Sequence, residues 1–166
     1  LAPREEPEAI DELDPLQRGS LVHDVQFELF GALARAGLLP VDPERLPRAR
    51  AILDDVLDAV AARHHDELAP AIERVWHDGV ASVRADLREW LRRASEDRSG
   101  FVPWRFELAF GLPGRRLRDP HSSPEPVALD CGLQLRGSID LVERRADGTL
   151  RATDHKTGRE RVTPGE

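Results

Sequence analysis

Two aspartates and a lysine near the end of the chain have the types and the spacing for metal-dependent chemistry: Asp140, Asp154 and Lys156. Two carboxylates that converge on one face of a sheet can bind Mg²⁺ or Mn²⁺, because hard divalent cations take oxygen ligands and an open site keeps water for catalysis. The backbone carbonyl of His155 is a further candidate ligand. The alternative interpretation is a surface hairpin whose charges are solvated.

A tight turn predicts how the two aspartates meet. Residues 146–148 are Ala-Asp-Gly, a three-residue loop in which Gly148 supplies the left-handed conformation and the flanking strands close on either side. Because side chains alternate along a strand, this register places Asp140 opposite Asp154 on one face. A slip of one residue would put the two aspartates on opposite faces.

The other face of the same hairpin supports this register. Glu143 falls opposite Arg151, which is a favourable pair of opposite charges across the strands. Lys156 falls on the face of the two aspartates and is the only lysine in a chain with 23 arginines. A compact ammonium group with a tunable pKa suits catalysis better than a planar guanidinium. The composition therefore points to chemistry at this position.

These motifs resemble the PD-(D/E)XK nuclease core, and in particular its RecB-family branch. The branch has Gly-x-hydrophobic-Asp followed by Asp-Tyr-Lys-Thr-Gly; this chain has Gly-Ser-Ile-Asp at 137–140 and Asp-His-Lys-Thr-Gly at 154–158. His155 replaces the usual tyrosine, at a position whose side chain is not a ligand. The branch also has Gly-x-hydrophobic-hydrophobic-His early in a helix, which Gly-Ser-Leu-Val-His at 19–23 resembles.

The resemblance implies roles for the site residues. Asp140, Asp154 and His23 would hold Mg²⁺ or Mn²⁺. Glu107 resembles a glutamate on the strand that enters the family's site, and it would be a direct or water-mediated ligand. The structural alternatives are a histidine that only packs beside an apolar stripe and a glutamate exposed on a strand. Lys156 would orient the attacking water and stabilise the charge that develops on the phosphate.

The activity that the resemblance implies is that of a divalent-metal-dependent DNA exonuclease, fused to or partnered with a recombination helicase. A second interpretation is a catalytically inactive, nuclease-like module kept for DNA binding or complex assembly, against which the intact Asp/Asp/Lys set argues. A third, a metal hydrolase of small phosphate esters, lacks a recognisable small-substrate signature. Some relatives carry a four-cysteine iron–sulfur cluster, and the single cysteine, Cys131, excludes one within this chain.

Charge and composition limit the classes of partner that we expect for this chain. The net charge of −7 runs against simple nucleic-acid binding, although acidic metal ligands and affinity borrowed from a tethered helicase would account for it. Arg136, Arg144 and Arg145 are candidates for phosphate contact, as are the arginines at 115–118; solvated loop charges are the equal alternative. The single cysteine and the lack of a signal peptide or a long apolar run predict a cytoplasmic location without a membrane span.

The domain organisation follows from changes in composition and periodicity. Residues 1–13 are acidic and aperiodic, and they predict a linker or the tail of an upstream segment. Residues 14–166 predict one nuclease domain, with a helical part at 14–98 and a sheet core at 101–158. Apolar residues at helical spacing predict three helices in the helical part, beginning at Asp14, at Asp42-Pro43 and near Pro70.

The sheet core is predicted from a change to two-residue alternation. Residues 104–110 alternate apolar and polar side chains, which is typical of a strand with one wetter face. From Val127 to Leu141 the odd positions predict a buried apolar strand face that includes Cys131. We therefore expect an α/β domain with a restriction-endonuclease-like core, in which a central mixed or antiparallel sheet is flanked by helices.

The two ends of the sequence carry their own expectations. The chain begins with leucine and contains no methionine, so we expect a piece of a longer polypeptide. RecB-family members carry a helix after the lysine strand with a Gln-x-x-x-Tyr pattern, and this sequence has no tyrosine. We expect that C-terminal helix to be missing, and residues 1–166 alone to bind metal better than they cut DNA.

Overall fold

The computed structural model of the chain describes residues 12–70, 72–112 and 118–155. Three helices come first: α1 (Pro15–Arg35), α2 (Leu46–Leu68) and α3 (Glu73–Glu96). Five strands follow: β1 (Val102–Phe110), β2 (Val127–Ala128), β3 (Gln134–Leu135), β4 (Gly137–Arg144) and β5 (Leu150–Thr153). The predicted α/β class, with helices before an antiparallel sheet, is confirmed. Within the described ranges, no helix has both the length and the apolar character needed to cross a bilayer.

The start of α1 follows from its capping residue. Oδ1 of Asp14 accepts hydrogen bonds from the backbone N–H groups of Leu16 at 2.9 Å and of Gln17 at 3.2 Å. Pro15 occupies the first turn, where its missing N–H costs nothing. The predicted start of this helix is confirmed. Gly37 follows the end of the helix, and its φ of +66° lies in the left-handed region that glycine adopts without strain.

The other two helices begin later than the sequence predicts. Oδ1 of Asp42 accepts a hydrogen bond from the backbone N–H of Arg45 at 2.8 Å, so the Asp42-Pro43 signal forms a turn ahead of α2 rather than its first turn. Helix α3 begins at Glu73, after the extended residue Ile72. Both differences lie within the few residues by which helix ends commonly vary.

The three helices pack into one apolar core. Its fully buried members come from all three apolar stripes: Leu21, Val25, Leu29, Leu33, Leu53, Leu57, Val60 and Val83. Asp54 on α2 receives hydrogen bonds from Arg84 and Arg88 on α3, each at 3.1 Å.

The sheet meets this helical layer through aromatic side chains. The ring of Phe106 stacks on Phe30 with centroids 4.5 Å apart, and Trp90 meets Phe30 edge-on.

The main sheet has the strand order β1-β4-β5, with both neighbouring pairs antiparallel. The hairpin formed by β4 and β5 pairs Glu143 with Arg151, and the backbone N–H of Arg145 donates to the carbonyl of Thr149 at 2.9 Å. Gly148 has a φ of +88° in the turn. The predicted turn is confirmed, and so is the predicted register over residues 141–144 and 150–153. The pairing ends at Leu141 and Thr153, so the predicted cross-strand pair of Asp140 and Asp154 is not part of the ladder.

The segment from Val127 departs from the predicted continuous strand. The chain reverses at Gly132, whose φ is +82°, and β2 and β3 form a separate two-stranded sheet. The predicted buried face is wrong here, because Leu133 is 63% exposed and Cys131 is exposed in the turn. The Asp-Cys-Gly sequence at 130–132 is typical of a turn. The turn forms here although the residues on either side alternate as they would in one continuous strand.

Candidate metal centre

Three side chains from three elements bring their ligand atoms together: His23 of α1, Glu107 of β1 and Asp140 of β4. One ligand atom from each lies within 4.8 Å of the other two. Nδ1 of His23 is 3.2 Å from Oε1 of Glu107 and 3.6 Å from Oδ1 of Asp140. Two carboxylates and one imidazole are a donor set that suits a divalent cation such as Mn²⁺ or Mg²⁺. The residues present therefore fit a metal ion.

His23 reaches this point from the third turn of α1. The neighbouring residues Leu21 and Val22 are buried in the helical core, which fixes the rotation of the helix. His23 itself is half-buried and lies at the junction between the helical core and the sheet. The helix thus carries the imidazole to the two strands that hold the carboxylates.

Glu107 has an unusual backbone conformation for a strand residue. Its φ is +51°, in the left-handed region that glycine favours, and its exposed fraction is only 8%. The pairs Phe106↔Leu141 and Leu108↔Ile139 flank it, so Glu107 lies opposite Asp140. Such strain costs on the order of 1 kcal/mol or more and persists where the surroundings enforce it, often at functional sites. The alternative of an exposed strand glutamate is wrong.

Asp140 is positioned by the chain that follows β5. Its Oδ2 accepts a hydrogen bond from the backbone N–H of His155 at 2.7 Å, while Oδ1 is the oxygen nearest to His23. A carboxylate with one oxygen fixed by a backbone donor keeps the other oxygen in a defined direction. The β4–β5 hairpin therefore sets the geometry of this candidate ligand.

The electrostatics of the centre are negative. The hydrogen bond that the His23 imidazole donates to the Glu107 carboxylate is the main cause that raises the pKa of His23, and the charges of Asp140 and Asp154 add to it against the opposing effect of burial. The same negative potential would favour a divalent cation over a proton. Burial lowers the pKa of the nearby His155, whose ring meets Trp90 edge-on with centroids 5.8 Å apart.

The other predicted site residues lie at or beyond the end of β5. Asp154 is exposed and comes directly after the last paired residue, Thr153. It is not part of the three-residue group, although its charge contributes to the raised pKa of His23. Lys156 lies outside the described residues. The ligand roles of Asp154 and of the His155 carbonyl, and the catalytic role of Lys156, stay predictions.

The predicted charge pair on the other face of the hairpin is confirmed. Nε and Nη2 of Arg151 donate to the two carboxylate oxygens of Glu143 at 2.6 Å and 2.8 Å. Arg151 also reaches Asp97, which follows α3, at 3.0 Å. Glu143 is only 7% exposed. This bidentate pair ties the hairpin that carries Asp140 to the end of the helical layer.

The three arginines predicted to contact DNA lie at both ends of β4. Arg136 precedes the strand and packs its aliphatic stem closely against Gly111. Arg144 is the last residue of β4 and is exposed, and Arg145 follows it with its guanidinium over the ring of Phe101. Their contacts with DNA stay predictions.

A buried polar pair beside the centre was missed by the sequence interpretation. Nε2 of His64 on α2 lies 2.8 Å from Oδ2 of Asp24 on α1, and Arg118 donates to the same aspartate. The pair ties α1 to α2 one residue away from His23. The spacing of residues along α2 could have predicted that His64 is buried, because His64 follows the buried residues Leu57 and Val60 at helical intervals.

Comparison with known proteins identifies the family. A family model described as the PD-(D/E)XK nuclease superfamily matches residues 1–166. The chain belongs to this superfamily and is a nuclease domain, whose implied substrate is DNA. No curated protein and no solved structure gave a significant match. Nucleases of this superfamily use divalent metal ions, and the group of His23, Glu107 and Asp140 fits that requirement.

Proposed function

We propose that this nuclease domain is a divalent-metal-dependent DNA exonuclease of the RecB type that works with a recombination helicase. The observation that carries the proposal is the convergence of His23, Glu107 and Asp140 from three separate elements. Family membership supports the reaction class, which is hydrolysis of a phosphodiester bond. The RecB type rests on the motifs at 19–23, 137–140 and 154–158.

In this proposal His23, Glu107 and Asp140 hold Mg²⁺ or Mn²⁺. The ion supplies Lewis-acid chemistry, activating water and neutralising charge on the scissile phosphate. Glu107 and Asp140 contribute negative charge from paired strands, and His23 contributes a nitrogen whose proton a cation must displace. Asp154, which is exposed, adds further negative charge near the group.

Lys156 is proposed to stabilise negative charge on the phosphate and to orient the attacking water. The support is its position two residues after Asp154 and its standing as the only lysine of the chain. An ammonium group carries its charge as a compact, mobile point, which suits a phosphate that changes geometry during reaction. The cytoplasmic location and the helicase partner are proposed on composition and on the family resemblance.

The test is a cleavage assay on end-labelled single-stranded and duplex DNA with Mg²⁺, Mn²⁺ or EDTA. We expect slow, metal-dependent release of labelled product by residues 1–166, lost in EDTA and in Asp140→Asn. Asp130→Asn, which changes an exposed carboxylate in the β2–β3 turn, is the matched control and should keep the activity. Cleavage that persists in Asp140→Asn would refute the proposed metal centre.

The second candidate function is a nuclease-like module that binds DNA without cutting it. The exposed position of Asp154, outside the three-residue group, is the observation that favours it. This candidate predicts DNA binding that is unchanged by EDTA and an absence of cleavage under every metal condition. The same assay, run with a binding measurement in parallel, separates the two.

A further inference from the structure

Two arginines share one tryptophan ring on the same pair of strands that carries the metal centre. The guanidinium carbon of Arg105 lies 4.1 Å from the ring centroid of Trp104, and that of Arg144 lies 4.7 Å from it. The ring is half-buried, and Arg144 is exposed.

Among the residues that the structure describes, no acidic side chain compensates the charge of Arg105 or Arg144. Most of the described arginines pair with a carboxylate, as Arg84 and Arg88 do with Asp54. In the part of the chain that the structure describes, no carboxylate lies within ion-pair distance of Arg105 or Arg144. Two arginines on one ring without a described acidic partner are a local concentration of positive charge in a chain of net charge −7, and such a concentration favours an anion.

A β-bulge produces this arrangement. Pro103 pairs with Glu143 and Arg105 pairs with Val142, so Trp104 is an extra residue in β1 without a partner in β4. Bulges redirect side chains and are common beside active sites. The side chain of Arg105 is held further by its hydrogen bond to Nε2 of His121 at 3.1 Å. The bulge and this hydrogen bond therefore help to orient the ring of Trp104 and the guanidinium of Arg105.

The patch lies along the strands from the metal centre. Trp104 is three residues before Glu107 on β1, and Arg144 is four residues after Asp140 on β4. At about 3.3 Å per residue, the separation is about 10–13 Å, which a few nucleotides span. Because side chains alternate along β4, Asp140 and Arg144 share one face of the sheet.

We infer that Trp104, Arg105 and Arg144 form a binding site for single-stranded DNA, in which the arginines bind phosphates and an unpaired base stacks on the aromatic and guanidinium planes. This inference rests on the proposed nuclease function, and it names the substrate class as a single strand that leads to the metal centre. A base inside a duplex is already stacked on its neighbours, so only an unpaired base is free for such a surface.

The experiment measures binding in EDTA, so that neither metal nor cleavage is needed. The probes are a fluorescent oligo(dT), a blunt duplex of equal length, and a strand of abasic sites that keeps the phosphates but has no bases. We expect wild type to bind oligo(dT) more tightly than the duplex. Trp104→Ala should weaken oligo(dT) binding by about 5- to 100-fold while changing abasic-strand binding little.

Two further variants separate stacking from misfolding and from general charge. Trp104→Phe keeps an aromatic face and should retain most of the oligo(dT) affinity. Arg144→Gln should reduce the salt dependence of binding by about one counterion, whereas Arg48→Gln, an exposed arginine of α2, should not. Circular dichroism of each variant checks that its fold is kept.

Several results would overturn the inference. The first is that wild type does not bind oligo(dT) detectably. The second is that Trp104→Ala lowers the affinity for the abasic strand as much as the affinity for oligo(dT). The third is that polyglutamate displaces oligo(dT) as effectively as unlabelled DNA does. None of them depends on cleavage. A failed nuclease test with intact, Trp104-dependent binding would therefore refute the proposed function alone.

Discussion

The backbone N–H of His155 donates a hydrogen bond to Oδ2 of Asp140, and the other oxygen of that carboxylate lies 3.6 Å from Nδ1 of His23. One carboxylate thus connects the end of the β4–β5 hairpin to helix α1. The two oxygens have different environments, because one is fixed by a backbone donor and the other faces the candidate metal position. Asp140 therefore links the position of the hairpin to that of the candidate metal centre.

Asp140→Asn should reduce Mn²⁺ affinity by at least about 10-fold, because it replaces a charged ligand of a hard cation with a neutral amide. Glu107→Gln should have a similar effect, since it removes the second carboxylate that faces His23. Calorimetric titration with Mn²⁺ measures both, with Asp130→Asn as the control. Equal affinity in wild type and both variants would show that these carboxylates are not ligands.

The left-handed conformation of Glu107 predicts an inverted order of stability between two variants. Glycine in a strand is normally less stable than alanine by about 0.5–1 kcal/mol. At a φ of +51° the order should reverse, because glycine adopts this conformation without strain. We expect the Glu107→Gly variant to be more stable than the Glu107→Ala variant, with a free energy of unfolding that is higher by about 1 kcal/mol. Denaturant unfolding of the two variants gives the comparison, and a more stable alanine variant would contradict the strained backbone.

The pair of Glu143 and Arg151 predicts strong coupling in a double-mutant cycle. Among the described residues, Arg151→Met leaves the buried carboxylate of Glu143 with only the hydroxyl of Thr153 as a side-chain donor, so it should lower the free energy of unfolding by about 2–4 kcal/mol. Adding Glu143→Gln to that variant should recover part of the loss, because the unpaired charge is removed. Additive effects of the two substitutions would contradict a direct pair.

Asp54 predicts a pH-dependent contribution to stability. Its hydrogen bond from Arg88 is the main cause that lowers its pKa from 3.8 in the folded chain. A lowered folded-state pKa contributes stability above the unfolded pKa, and that stability is lost as the pH falls through the folded value. Asp54→Asn should therefore cost about 1 kcal/mol near neutral pH, with the difference from wild type closing below about pH 4.

The control for this prediction is the next residue on the helix. Asp55 is exposed on α2. Thermal unfolding of Asp54→Asn, Asp55→Asn and wild type between acid and neutral pH tests the expectation. A pH-independent difference for Asp54→Asn would contradict a role for its charge, and an equal effect of Asp55→Asn would point to helix charge in general.

The parts of this structure that the sequence predicts are those set by local chemistry. The cap at Asp14 and the turn at Gly148 each depend on residues within a few positions, and so does the hairpin register that follows from that turn. The departures have non-local causes. The bulge at Trp104 arises from the pairing of β1 with β4, which lies some thirty residues later, and the left-handed Glu107 lies within the same pair of strands. A periodic pattern in one strand cannot reveal either feature.

The same distinction holds in the candidate site. The resemblance to the family names His23, Glu107 and Asp140 as candidate ligands from the sequence. The left-handed backbone of Glu107, which accompanies its convergence with the other two, is favoured by no propensity. The bond between His64 and Asp24 joins two helices forty residues apart in sequence. Helical spacing could predict that His64 is buried, but only the packing of α1 on α2 selects its partner.

The apolar core cluster of the described residues is supplied by the three helices and the turn after α1, and the buried apolar residues of the sheet, Ala109, Leu141 and Val142, lie outside it. We therefore predict that the sheet opens in a subglobal unfolding event while the helices stay closed. His23 belongs to the part that stays closed, and Glu107 and Asp140 belong to the part that opens. A cation bound by all three would be a cross-link between two cooperative units, and its binding energy would oppose the opening directly. Saturating Mn²⁺ should then slow amide hydrogen exchange in β4 far more than in α2.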